Sequence, residues 1–185
     1  MDLILLQPGK PELVRSPFRP DRALVTVNGS PIRQVLEDGP CIELLSIDQG
    51  IARFGEADAS SAAQTPGKPV VIDLTGVKHV DNNSAAFYES CRRATPLDAA
   101  DGAPTRIHIF AMSDDAIARA MTYTLRDALI SEIAVQPRGN DMATERFKLC
   151  AAEITWAYDD ESQAEPTSTV WRNVPGQAAL TALGN

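Results

Sequence analysis

Asp73, His79 and Asp81 place two carboxylates and an imidazole within nine residues of sequence. Those are donor types that could bind a divalent cation or share acid–base work. The plainer reading of His79 is an exposed loop residue, and no metal ligand is assigned. Asn82, Asn83 and Ser84 follow at once. Asn or Ser here suits a helix N-cap, where the side-chain oxygen accepts a free backbone N–H. A hydroxyl at such a helix start could also carry a phosphate among unpaired N–H groups. That modification would add about −1.5 to −2 charges at one point. Ser84 is the first candidate for it and Thr75 the second, although Thr75 at a strand-to-loop turn is expected to bond backbone. Ser113-Asp114-Asp115 forms another capping sequence, its acids set against the positive end of a helix dipole. Ser113 and Asp114 are expected to rim the same surface as Asp81, Asn82, Asn83 and Ser84.

Little else assembles into a chemical set, so no catalytic residue and no cofactor are assigned. His108 alternates with Ile107 and Ile109 and faces away from them, on a sheet surface or as a satisfied core histidine. Cys41, Cys91 and Cys150 are too scattered for a zinc or redox motif. Cys91 lies one helical turn after Phe87 and reads as core. No G-x-G-x-x-G, P-loop or G-x-S-x-G occurs.

The 185 residues carry 17 Lys and Arg against 25 Asp and Glu, a net charge of −8. Such a chain is poorly suited to phosphate backbones or anionic lipid surfaces, so no nucleic-acid partner is expected. The longest early apolar run, Leu3–Leu6, is too short for a signal or membrane segment. A cytoplasmic protein with no direct membrane span is expected. Oligomeric state stays open.

The elements that must position these residues follow from patterning. Met1–Leu6 reads as a strand, followed by a proline-punctuated arm; Ala23–Val27 reads as a strand and Pro31–Leu36 as a helical turn. Cys41–Ile47 and Ile51–Phe54 flank the turn Asp48-Gln49-Gly50 as a hairpin. The β-branched run Val70–Leu74 reads as a buried central strand. A helix starts near Ser84 and ends before Pro96, and Arg106–Phe110 is the next strand. Ile117, Ala120, Met121, Thr124, Leu125 and Ala128 recur at helical spacing. Ile133–Val135 reads as a strand, and Asp141 opens a third helix to about Ala151. This alternation predicts an α/β fold with a small mixed, largely parallel sheet packed by helices. Ile72, Leu74, Phe87, Ile107, Ile109, Ile117, Met121 and Leu125 are expected in its core.

Val70–Tyr88 resembles the STAS domain (sulfate transporter and anti-sigma factor antagonist family). Asp73-Leu74-Thr75-Gly76-Val77 and Val80-Asp81 carry the likeness, and Arg106–Leu129 resembles the family's next strand and helix. Phe54–Asp58 is similar to the end of its second strand. The resemblance divides the chain into an N-terminal arm (1–40), a STAS-like domain (41–151) and an acidic C-terminal tail (152–185). It implies a non-catalytic regulatory interaction module, anti-anti-sigma-like, with a kinase or anti-sigma protein as partner. Regulatory members keep a phosphate acceptor where this chain has Asn82 and Asn83, so the usual phosphoswitch is expected to be missing. On capping grounds Asn83→Asp is expected to change stability by no more than about 1 kcal/mol. The alternatives are a ligand- or lipid-handling accessory domain of a transport system, or a small enzyme using Asp73, His79 and Asp81.

Overall fold

The apolar run Leu3–Leu6 does open the chain as a strand. The computed structural model describes residues 2–20, 30–53, 69–112, 117–137, 139, 141–158, 167–174 and 177–183. Its elements begin with β1 (Asp2–Gln7), α1 (Pro31–Asp38), β2 (Ile42–Leu44), β3 (Ser46–Asp48), β4 (Ile51–Arg53) and β5 (Pro69–Val71). Next come β6 (Leu74–His79), α2 (Ser84–Arg93), β7 (Thr105–Met112), β8 (Ile117–Arg126) and β9 (Leu129–Gln136). β10 (Thr144–Cys150), β11 (Glu153–Tyr158), β12 (Thr167–Val174) and β13 (Gln177–Leu183) complete the order.

Two sheets and a ribbon result. The large sheet has the order β13-β12-β11-β8-β7-β1-β2, the small sheet β3-β6-β10-β9, and β4 pairs β5 alone. Every pairing among these strands is antiparallel. The chain passes between the sheets four times: at tight corners at Leu45 between β2 and β3, Asp127-Ala128 between β8 and β9, and Ala151-Ala152 between β10 and β11, and by way of α2 between β6 and β7. Asp127 makes its corner with φ at 52°, a left-handed conformation that Asp tolerates better than most residues.

The alternation of β1 feeds two cores. Leu6 joins Ile107, Leu125, Ile154 and Trp171 of the large sheet, Leu74, Phe147 and Leu149 of the small sheet, and Phe87 of α2. Leu3 and Leu5 point the other way and pack with Phe110 against Ile32 and Val35 of α1. Pro31 at the first turn suits a helix start, and the i, i+3 pair Ile32 and Val35 is its buried face. Gln7 donates to the carbonyls of Val35 (3.0 Å) and Gly39 (3.2 Å), answering acceptors that the helix end leaves free.

The largely parallel α/β fold is therefore corrected, among the described residues, to two antiparallel sheets and a two-stranded ribbon with two short α-helices. Ile117–Arg126 is a strand, not a helix, and it pairs β7 on one side and β11 on the other. The third helix is β10. The hairpin at 41–54 does not form either, since β3 pairs β6 while β4 pairs β5. Val70–Leu74 is divided between the β4–β5 ribbon and the start of β6, leaving Ile72 52% exposed. Of the expected core residues, Leu74, Phe87, Ile107 and Leu125 are buried, whereas Ile109, Ile117 and Met121 are only half-buried. Nor is residue 152 onward a tail, because β11 and β12 extend the large sheet and Trp171 enters the core. The expected strand at 23–27 and the segment 54–58 lie outside the described residues.

Candidate functional site

β6 delivers the site residues to the start of α2. Along it Leu74, Gly76 and Lys78 face inward while Thr75, Val77 and His79 are half-buried. An inward lysine needs an acid, and the register of β10 places Glu145 directly opposite Lys78. Lys78 is 1% and Glu145 0% exposed, with Nζ 2.8 Å from Oε1. Lys78 Nζ also reaches Asp81 Oδ1 at 2.6 Å, donates to the His79 carbonyl at 2.9 Å, and lies 5.6 Å from the Phe87 ring centroid. The Ser84 hydroxyl donates to Glu145 Oε1 (2.9 Å) and accepts from the Asp81 N–H (3.0 Å). Glu145 Oε2 is buried with no hydrogen-bond partner.

Asn83 works as a clamp rather than as a cap. It makes no side-chain bond to its own helix. Its Oδ1 accepts from the N–H groups of Arg15 (2.7 Å) and Ser16 (2.8 Å), and its Nδ2 donates to the Ser16 carbonyl and to Asp81 Oδ2, both at 2.8 Å. The proline-punctuated arm is thereby fixed at Arg15 and Ser16 to the start of α2. Between arm and sheet lies a cavity of about 250 Å³, lined by Phe18, Arg19, Glu43, Leu45, His79 and Asp81. His79 Nδ1 is buried without a hydrogen-bond partner.

Asp81, Asn83 and Ser84 are thus brought together as one network, while Asn82 is exposed beside it. Ser84 is buried, and its hydroxyl is engaged as donor and acceptor within the fold. Thr75 sits in β6 opposite Lys148 and Asp48. Ser113 and Asp114 lie outside the described residues. Asp73 precedes β6 and His79 ends it, so six residues of strand hold them about 20 Å apart. Asp73, His79 and Asp81 therefore cannot act on one atom, and the small-enzyme alternative loses its residues. No cluster of three or more His, Cys, Asp or Glu able to hold a metal occurs among the described residues.

The remaining candidate nucleophiles and bases are structural. Burial, with Asp38 nearby, pushes the Cys41 thiol up to about 12. Burial also raises Cys150, helped by Asp73. His108 is buried on the α1 side of the large sheet, its Nδ1 3.3 Å from the Thr122 hydroxyl. Desolvation first, then Arg119 and Arg106, bring its pKa down to about 4.

Patterning missed a second kind of site, the apolar side chains left in water. Ile51 (49% exposed) lies on one face of the β4–β5 ribbon, and Val70 (48%) and Ile72 (52%) on the other, since Ile51 is registered with Val71. Leu45 (46%) lines the cavity, while Val80 (39%) follows His79 in sequence and its N–H donates to the carbonyl of Ala143, next to Met142 (61%). Ile72 is the one of these a sequence reader meets as core, because a β-branched run looks the same whether a core or a partner covers it.

A family profile described as "Type VI secretion system effector, Hcp" matches residues 27–158. A search of curated proteins gives no match. Among solved structures, one described as a type six secretion system protein superposes with a TM-score of 0.68 at 14% identity, covering 97% of this chain and all (100%) of that one. A type VI secretion system effector from Yersinia pestis gives 0.59 at 11% identity, over 92% of this chain and 99% of its own. The secreted protein Hcp3 from Pseudomonas aeruginosa gives 0.59 at 14%, over 92% and 97%. At such identities the superpositions speak for the fold alone. The profile match overturns the STAS resemblance, and with it the regulatory module, the signalling partner of kinase or anti-sigma type, and the transport-accessory alternative. The strand and helix that suggested them, β6 and α2, are real, but β6 has antiparallel neighbours on both sides.

Proposed function

We propose that this chain, which belongs to the Hcp family of type VI secretion system effectors, assembles into hexameric rings that stack into a tube. As a member of that family it is not an enzyme. The observation that carries the reading is the profile match across residues 27–158, which spans most elements of both sheets. The partner that replaces a regulatory protein is then a further copy of the chain. No helix among the described residues is long and apolar enough to cross a membrane. The chain is made in the cytoplasm and leaves through the secretion machine.

The physical properties suit such a role. A subunit repeated around a ring needs a fixed shape, and two cores on either face of β1 supply it. The net charge of −8 makes copies repel one another, so ring formation should strengthen as salt rises. Sedimentation equilibrium of the purified chain, with negative-stain imaging, tests the reading. A species of six times the 19.9 kDa chain mass, seen as rings, is expected. A monomer that persists at high concentration and high salt would refute it.

A further inference from the structure

We propose that the arm from Lys10 to Pro20 is a strap that opens and recloses as one unit on an otherwise folded chain, with Asn83 as its latch. The strap spans the two cores without being buried in either. Leu13 and Val14 pack against the main core, and Phe18 packs against the second. No residue from Lys10 to Pro20 is buried, whereas Gln7 and Pro8 just before them are. Gly9 marks the boundary. A Cβ there would collide with the Ala103 carbonyl, so the backbone is pinned where the strand ends and the strap begins.

The strap is anchored at three places. At its start the Lys10 N–H donates to the Leu97 carbonyl (2.9 Å) and Lys10 Nζ to the Pro96 carbonyl (2.6 Å). In its middle Asn83 accepts from the N–H groups of Arg15 and Ser16 and donates to the Ser16 carbonyl. Near its end the Phe18 N–H donates to the Cys41 carbonyl (2.7 Å). Between the first anchor and the second lies one turn, closed by the Leu13 N–H on the Lys10 carbonyl (3.1 Å) and the Val14 N–H on the Pro11 carbonyl (3.0 Å). Pro11, Pro17 and Pro20 donate nothing and fix φ, so the strap is too stiff to leave one anchor and keep the next. A segment with few buried contacts opens at far lower cost than the sheets beneath it.

The latch stays set when the strap leaves. Asp81 Oδ2 accepts from Asn83 Nδ2 and Asp81 Oδ1 accepts from the Asn83 N–H, both at 2.8 Å. Lys78 Nζ holds the same Oδ1 at 2.6 Å. None of these bonds involves the arm, so the Asn83 amide keeps its oxygen and one N–H aimed at a returning peptide unit. Opening also changes the cavity. Ser16, Pro17, Phe18 and Arg19 are its arm-side lining, and Glu43, Leu45, His79 and Asp81 line it from the other side. The strap therefore sets whether those four side chains line a pocket or an open face.

Hydrogen exchange of the full chain, read at single residues, tests this independently of the ring reading. The amides of Lys10, Arg15, Ser16 and Phe18 should share one opening constant, larger than that of the β1 and β7 amides. Asn83→Ala should raise exchange about tenfold or more at all four and leave β1 and β7 unchanged. Lys10 and Phe18 carry the decision, because neither touches Asn83. Phe18→Ala removes the far footing, leaves the latch intact, and should raise exchange at Lys10, Arg15 and Ser16 alike; it decides the matter if Asn83→Ala does not fold. Trypsin supplies a second readout. Lys10 and Arg19 each precede a proline, so Arg15–Ser16 is the one bond of the strap open to it, and cutting there should quicken by the same factor as exchange. A rise confined to Arg15 and Ser16 in Asn83→Ala, an equal rise in β1 and β7, or wild-type arm amides as slow as those of β7 would each overturn the proposal.

Discussion

Asn83 shows how one side chain can look replaceable in sequence and not be so in place. Capping logic rates Asp and Asn alike at a helix start. In the folded chain the amide uses both ends, accepting from Arg15 and Ser16 and donating to Ser16 and Asp81. A carboxylate keeps the first pair of bonds. It loses the second, and it faces the Ser16 carbonyl and the Asp81 carboxylate with no donor between them. Asn83→Asp should therefore cost about 2–4 kcal/mol, the scale of a buried polar group left facing acceptors. Urea unfolding measures it, and a shift under 1 kcal/mol would restore the capping estimate. His108 provides a pH test of the second core. Its ordinary value of 6.5 falls to about 4 on folding. The unfolded chain therefore takes up the proton first as pH drops. Stability is full above 6.5 and is lost progressively toward 4, by about 3 kcal/mol in total. Carboxylates titrate across the same range, so the measurement is the difference between wild type and His108→Gln. The variant's unfolding free energy should fall less between pH 7 and pH 4, and parallel curves would count against a buried neutral imidazole.

At the scale of strands and helices, the same buried ion pair explains what sequence could and could not show. β1, α1, α2 and β7 were legible because each shows an apolar face, and β9 only from Ile133 to Val135, because Ser131 and Glu132 interrupt its two faces. β10 was not. Glu145, Phe147 and Leu149 all point inward, but a glutamate at the first of these positions breaks the alternation that marks a strand. Lys78 does the same to β6, after Leu74 and Gly76. Only the cross-strand pairing that neutralises them makes either residue sensible inside, and that pairing spans 67 residues, from 78 to 145. β8 was hidden for another reason. Residues on both of its faces are half-buried, so no polar face reveals a period of two, and the alanines mimic a helix. Gly76 offers a test at this scale. A Cβ there would stand 2.5 Å from the Phe147 ring, which is itself held edge-on to Phe87 with centroids 5.3 Å apart. Gly76→Ala should destabilise by about 1–3 kcal/mol, as overpacking does. Chemical denaturation of the variant checks it; an unchanged midpoint would mean that the ring can swing away freely.

The whole molecule is sewn together from both ends of the chain. Composition made 152–185 look like a tail, because its acids, Asp159, Asp160, Glu161 and Glu165, gather between β11 and β12 and dominate the average. The strands on either side are part of the large sheet, and Trp171 is 9% exposed in the main core. Ending the chain after Tyr158 should cost about 3–5 kcal/mol for the lost tryptophan. It should also bare the β11 edge to pairing with other molecules. Thermal melts with light scattering read both effects, and a truncated chain that melts as wild type does would mean that the segment is dispensable. β1 raises a matter of timing during synthesis. It pairs with β7 from Asp2 opposite Ala111 to Gln7 opposite Arg106. At 5–20 residues per second, the ribosome needs about 5–20 s to make the stretch between them. Through that interval the Leu-Ile-Leu-Leu run waits without its β7 partner, a sticky segment for chaperones to shelter until the matching strand is made.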